Sequence, residues 1–135
     1  MGPNETALRE GYRRFSSGDE KSVFDYLADG VVWLSSGSPG HVLTAGERRG
    51  ADGVRDYFEA RNKEWSIDRF DVRRIMGEGD ENFAVHVTCS GRHKRTAGRV
   101  LFDKVDLVTM KDGKITRFVE IMDTALLERC AGHLP

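Results

Sequence analysis

AGRVLFDKVDLVTMKDGKITRFVEIMD, residues 97–123, is the stretch that decides the fold. It reads as two long strands joined at Lys111-Asp112-Gly113-Lys114. Val100, Leu101, Phe102, Val105, Leu107, Val108 and Met110 mark the first strand. Ile115, Phe118, Val119, Ile121 and Met122 mark the second. Asp112-Gly113 is a strong hairpin signal, because both residues accept positive φ and the primed turns twist with their strands. Charge interrupts the apolar pattern. Lys104 and Asp106 stand at i and i+2, on one face of one strand, and Asp123 follows Ile121-Met122. Ionised groups among core residues are costly unless paired, solvated or used, so the search for function starts with them.

Upstream, IDRFDVRRIM (67–76) predicts a strand with Ile67, Arg69, Asp71, Arg73 and Ile75 on one face and Phe70, Val72 and Met76 on the other. Gly77-Glu78-Gly79-Asp80 turns it into NFAVHVTCSG (82–91). There Phe83, Val85, Val87 and Cys89 oppose Ala84, His86, Thr88 and Ser90. Arg92–Arg95 reads as a solvated basic hairpin tip. The N-terminal half has the helical period instead. Leu8, Tyr12 and Phe15 form a stripe over 4–17, with Asn4 as a cap and Gly18 in the left-handed position beyond it. A short helix begins at Ser22, a strand covers Val31–Leu34, and a third helix covers 53–65 with Asp52 as its cap. Residues 35–50 read mostly as loop, long enough to serve as a rim or lid. Helices first and an antiparallel meander after is an α+β arrangement with helices on one face of a curved sheet. One helical layer does not fill a strongly curved sheet. A pocket is therefore expected between the sheet and the first and third helices, lined by Trp33, Tyr57 or Phe58 and residues of the last strand, with the loop 35–50 near its mouth.

At 135 residues, 1–135 is expected to be a single domain. A net charge of −1 gives no bulk electrostatic case for nucleic acid or anionic membrane. The apolar content of 39 % contains no run near the ~18 residues of a membrane span. The start of the chain carries no apolar leader, so a cytoplasmic location is expected. Cys89 and Cys130 read as reduced thiols. The four histidines (41, 86, 93 and 133) are scattered and form no metal set, and no motif for a cofactor is present.

Tyr12 with Gly18-Asp19, LADGVVWL (27–34), GERRGADGVRDYFEA (46–60) and KDGKITRFVEIMDTALL (111–127), in that order and spacing, resemble the SnoaL-like branch of the nuclear transport factor 2-like superfamily. The likeness covers about residues 5–128. It implies a cone: a curved mixed sheet wrapped round a pocket by three helices. The superfamily includes ketosteroid isomerases, polyketide cyclases and limonene epoxide hydrolases, together with members that only bind or dimerise, so fold alone does not give function. The isomerase base position falls on Ser35, which cannot be a base. The isomerase oxyanion tyrosine is close to Tyr12 but one residue out of step. The epoxide hydrolase Arg-x-Asp pair is missing from the middle strand, although Asp123 matches its last aspartate. The cyclase pattern fits better, with Asp123 as acid/base and His86 assisting. Asp106 stands where many relatives carry histidine.

The resemblance thus implies a cofactor-independent acid/base enzyme, of cyclase, isomerase or hydrolase type, acting on a hydrophobic carbonyl or polyketide-like compound. The other reading is a non-catalytic ligand-binding or dimerisation module. Asp123 is either the catalytic carboxylate or an N-cap of a tail helix over 124–129. Lys104 and Asp106 either form a polar pocket floor or face a sheet-to-sheet homodimer contact. His86 is a catalytic assistant or an ordinary strand residue. Trp33, Tyr57 and Phe58, with Tyr12, are a ligand wall or aromatic core. The partners expected are a small hydrophobic molecule and a second copy of the chain.

Overall fold

The computed structural model describes residues 1–38 and 42–132. The elements run α1 (Pro3–Ser16), a 3-10 segment (Glu20–Tyr26), β1 (Leu27–Ser35), β2 (Gly46–Arg49), α2 (Gly50–Glu64), β3 (Trp65–Glu78), β4 (Asn82–His93), β5 (Arg99–Lys111), β6 (Lys114–Met122) and α3 (Thr124–Cys130). The six strands form one curved, unclosed sheet in the order β2-β1-β6-β5-β4-β3. All pairs are antiparallel except β1 with β6, so the sheet is mixed. The fold is the α+β arrangement expected from the sequence. No helix among the described residues is long and apolar enough to cross a membrane.

The hairpin at 112–113 has φ +52° and +75° at its two central residues, as a primed turn needs. Asn4 does not cap α1; the cap position is Gly2. The Asn4 side chain instead ties two hairpin turns together, accepting from the Gly113 N–H and donating to the Asp80 carbonyl. Residues 46–49 of the expected loop pair with β1 as an edge strand, and α2 starts at Gly50 with Arg49, not Asp52, at the cap. The loop's residues 39–41 lie outside the described residues.

The core lies between the sheet's concave face and α1 and α2. Val85, Val87, Val108, Met110, Val31 and Val54 are all but inaccessible there. Trp33 stacks on Phe118 at 3.8 Å between ring centroids and meets Tyr57 and Phe58 at 5.5 and 6.1 Å. The strict alternation expected for β3 fails, because bulges lie between Ile67 and Arg69 and between Val72 and Arg74. Each inserted residue resets the phase, so Ile67, Phe70, Val72 and Ile75 all pack on the core while Met76 is exposed. The basic tip is not wholly solvated. His93 is buried against the edge of Trp65 and its Nε2 lies 3.1 Å from the Glu64 carboxylate.

Candidate functional site

A bulge in β6 turns the central carboxylate of the site inward. Near the hairpin turn Lys111 pairs with Lys114 and Met110 with Ile115, but Thr109 pairs with Arg117. Thr116 is the extra residue. Without it Glu120 would sit opposite Val105, on the outer face of the sheet. With it Glu120 sits opposite Asp106, facing inward. The parallel pairing of β1 places Ser35 on the other side of Glu120. Ser35, Glu120 and Asp106 thus form a row across three neighbouring strands, and Lys104 follows Asp106 at i−2 on the same face.

The row is buried. Lys104 is 8 % exposed, Asp106 1 % and Glu120 2 %. Lys104 Nζ donates to Glu120 Oε2 at 2.6 Å and lies 3.2 Å from Asp106 Oδ1, an ion-pair contact that is not directed as a hydrogen bond. Two phenols reach down from the helices. Tyr12 of α1 donates to Asp106 Oδ2 at 2.6 Å, and Tyr57 of α2 donates to Glu120 Oε1 at 2.6 Å. Ser35 Oγ donates to the same Glu120 oxygen at 2.8 Å. The site is therefore two phenol–carboxylate pairs bridged by one ammonium.

The two carboxylates are driven apart in acidity. Burial pushes the Asp106 carboxyl up to about 6; the Lys104 ammonium opposes this and the Glu120 charge adds to it. Burial pushes Glu120 up too, but the Lys104 charge and hydrogen bonds from Lys104, Tyr57 and Ser35 outweigh it and leave Glu120 below the ordinary carboxylate range. Burial works against the Lys104 charge, yet Asp106 and Glu120 together hold that ammonium protonated well above its usual range. Burial, then the neighbouring carboxylates, keep Tyr12 and Tyr57 as neutral donors.

Two small clefts meet at this network. The first lies under α1 and α2, is almost wholly apolar, and includes Tyr12, Trp33, Tyr57, Phe58, Lys104 and Asp106 in its wall. It offers about 70 Å³ to the centre of a water molecule. The second offers about 50 Å³ and is walled in part by Thr44, Cys89, Phe102, Glu120 and Leu127. Tyr57, Arg61, Phe70 and Lys104 line both and form the partition between them. Small-molecule sites generally enclose roughly 300–1,000 Å³, so a polyketide-sized ligand requires the partition side chains to move.

Of the residues singled out from the sequence, Lys104, Asp106, Tyr12, Trp33, Tyr57 and Phe58 come together around the first cleft. Asp123 and His86 do not. Asp123 is exposed at the start of α3, where its Oδ1 accepts from the Leu126 N–H at 3.1 Å as an N-cap. His86 lies on the outer face of β4, 3.3 Å from the exposed Asp103. The same alternation that buries Val85 and Val87 turns it away from the core. Glu120 was missed in the sequence because Val119 and Ile121 flank it, as they would an outward residue. The available signal was the three-residue step from Ile115 to Phe118, which does not fit a period of two.

Residues 8–118 match the family described as the SnoaL-like domain. No curated protein matches the chain. Among solved structures, a nuclear transport factor 2-like protein of unknown function from Burkholderia pseudomallei superposes with a TM-score of 0.86 at 21 % identity, covering 97 % of this chain and 98 % of that one. TerC, co-crystallised with polyporic acid, superposes at 0.85 with 23 % identity over 97 % and 99 % of the two chains. A Mesorhizobium loti protein whose name calls it a SnoaL-like polyketide cyclase superposes at 0.73 with 22 % identity over 90 % and 99 %. At such identities the neighbours carry the fold and not the chemistry. The family match spans most of the chain, including Tyr12, Ser35, Tyr57, Lys104 and Asp106 but ending before Glu120: this protein belongs to the SnoaL-like domain family.

Proposed function

We propose that the protein is a cofactor-independent acid/base catalyst of cyclase or isomerase type, acting on a small hydrophobic carbonyl compound at the Lys104–Asp106–Glu120 network. One observation carries this reading: two buried carboxylates share one ammonium and are pushed to opposite sides of the ordinary range, the pattern that separates an acid from a base. Glu120, ionised, takes the proton from the carbon beside the carbonyl. Tyr12 and the protonated fraction of Asp106 donate to the carbonyl oxygen as negative charge develops there, and the Lys104 ammonium stabilises the enolate. Asp106 then delivers its proton to the enolate, and release of the Glu120 proton with uptake of one by Asp106 restores the starting state. Glu120 borders the second cleft and Asp106 the first, so the substrate lies across Lys104. By resemblance Ser35 falls where the isomerases of this superfamily carry their base, and its hydroxyl donates to Glu120 on the neighbouring strand.

A specific observation favours a second reading, a ligand-binding module. Glu120 already accepts from Lys104, Tyr57 and Ser35, so the polar core is close to fully satisfied without a substrate. Turnover of a panel of small ketones, enones and epoxides by the parent protein, Asp106→Asn and Glu120→Gln separates the two. Catalysis predicts a loss of about 100-fold or more in each variant, with thermal unfolding showing both still folded. No turnover by the parent protein leaves the binding module.

A further inference from the structure

The partition between the clefts carries two cations, and they differ in what is left free. Lys104 is committed to two carboxylates. Arg61 is not fully committed. Its side chain is 16 % exposed, and its guanidinium lies over the rings of Phe15 and Phe58, with Cζ 5.8 and 5.3 Å from their centroids. Nη2 donates to Glu20 Oε2 at 2.6 Å and to Asn62 Oδ1 at 3.0 Å, and Nε donates to the same Asn62 oxygen at 3.2 Å. These bonds occupy one edge of the fork. Nη1 has no hydrogen-bond partner among the described residues. Glu20 belongs to the 3-10 segment, its other oxygen accepts from Asn62 Nδ2 at 2.8 Å, and its side chain is 36 % exposed, so water replaces the Arg61 contact when another anion takes its place.

We propose that Arg61 is an anion subsite, and that the ligand of this protein carries a carboxylate on an apolar, aromatic-sized body. The body lies in the first cleft, whose wall is almost wholly apolar. The carboxylate meets Nη1 and shares or displaces the Glu20 contact at Nη2, the two-point geometry a guanidinium offers and an ammonium does not. The aromatic rings hold the guanidinium in place without using its donors. The subsite stands whether the cleft performs chemistry or only binds, because no step at Lys104 enters it.

Benzoate and benzamide are the probes: equal in shape, different in charge. Their binding is followed by shift changes at the amides of Phe15, Phe58 and Phe70 in nitrogen-15 NMR spectra of the full chain. The parent protein is expected to bind benzoate about tenfold or more tightly than benzamide, the worth of a charge-assisted hydrogen bond. Arg61→Met keeps the stem on the two rings; it is expected to bring the ratio to near one with benzamide binding unchanged. Glu20→Gln removes the competing negative charge from the fork and is expected to tighten benzoate alone, which keeps the test open should Arg61→Met unfold. Equal affinity in the parent protein, a benzoate preference that survives Arg61→Met, or no shift at the cleft with either probe overturns the subsite.

Discussion

Lys104→Met removes the ammonium that Asp106 and Glu120 share and keeps the methylene stem. Methionine is close to lysine in volume, and such swaps in a core cost less than about 1.5 kcal/mol in packing. The electrostatic loss is larger. Asp106 and Glu120 are 1 % and 2 % exposed, and neither reaches water to replace the lost cation. Breaking a buried ion pair by deleting one partner costs about 3–5 kcal/mol, and this range is expected at pH 7.5. The penalty must also depend on pH. Without the ammonium both carboxylates are raised above their unfolded values, so the folded state binds more protons than the unfolded one, and stability rises as pH falls. The difference between variant and parent is therefore expected to shrink between pH 7.5 and pH 5, and comparing the two proteins cancels the titration of surface groups. Urea unfolding at both pH values measures it. A loss below about 1.5 kcal/mol, or a loss equal at the two pH values, would refute the picture of a buried network held by one charge.

Asp123→Ala is expected to cost about 1 kcal/mol through loss of the α3 cap, and Asp123→Asn almost nothing; both are expected to leave turnover intact, and a selective loss of activity in Asp123→Asn would return that residue to the catalytic role. We also propose that the outer sheet face, where Leu101, Leu107 and Ile121 are 59 %, 42 % and 48 % exposed, joins two copies of the chain. Sedimentation is expected to show a dimer for the parent protein and a monomer for the Leu107→Lys, Ile121→Lys double variant; a monomeric parent removes the proposal. Gly91→Ala puts a Cβ 2.7 Å from the Ser66 carbonyl oxygen, and the overpacking is expected to cost about 1–3 kcal/mol in denaturant unfolding; a neutral result would mean that β3 and β4 yield there.

Much of the fold is legible in the sequence because its signals are local. Asp112-Gly113 sets a turn by backbone preference alone, Leu8, Tyr12 and Phe15 repeat at the helical period, and β4 alternates without interruption. Lys104 and Asp106 stand out for the same reason, being charges two residues apart in an apolar strand. What is not legible depends on bulges. The two in β3 defeat a straight count of alternation, and the one at Thr116 turns Glu120 inward. A one-residue slip changes which face every later side chain occupies, and nothing in the identity of Thr116 announces it. Asp123 is read toward the cleft by resemblance, but its position one residue past β6 makes the start of α3 its nearest unsatisfied partner. Capping needs only the adjacent backbone, so it prevails.

Asp106 and Glu120 are expected to titrate on opposite sides of the ordinary carboxylate range. Carbon-13 NMR of the side-chain carboxyls between pH 3 and 8, in the parent protein and in Asp106→Asn, measures this. One carboxyl is expected to titrate near 6 and to be absent from Asp106→Asn, with Glu120 still ionised at pH values where exposed glutamates have taken up their proton. Asp106 and Glu120 titrating together at ordinary values of about 4 would overturn the two-carboxylate network as the seat of acid/base chemistry.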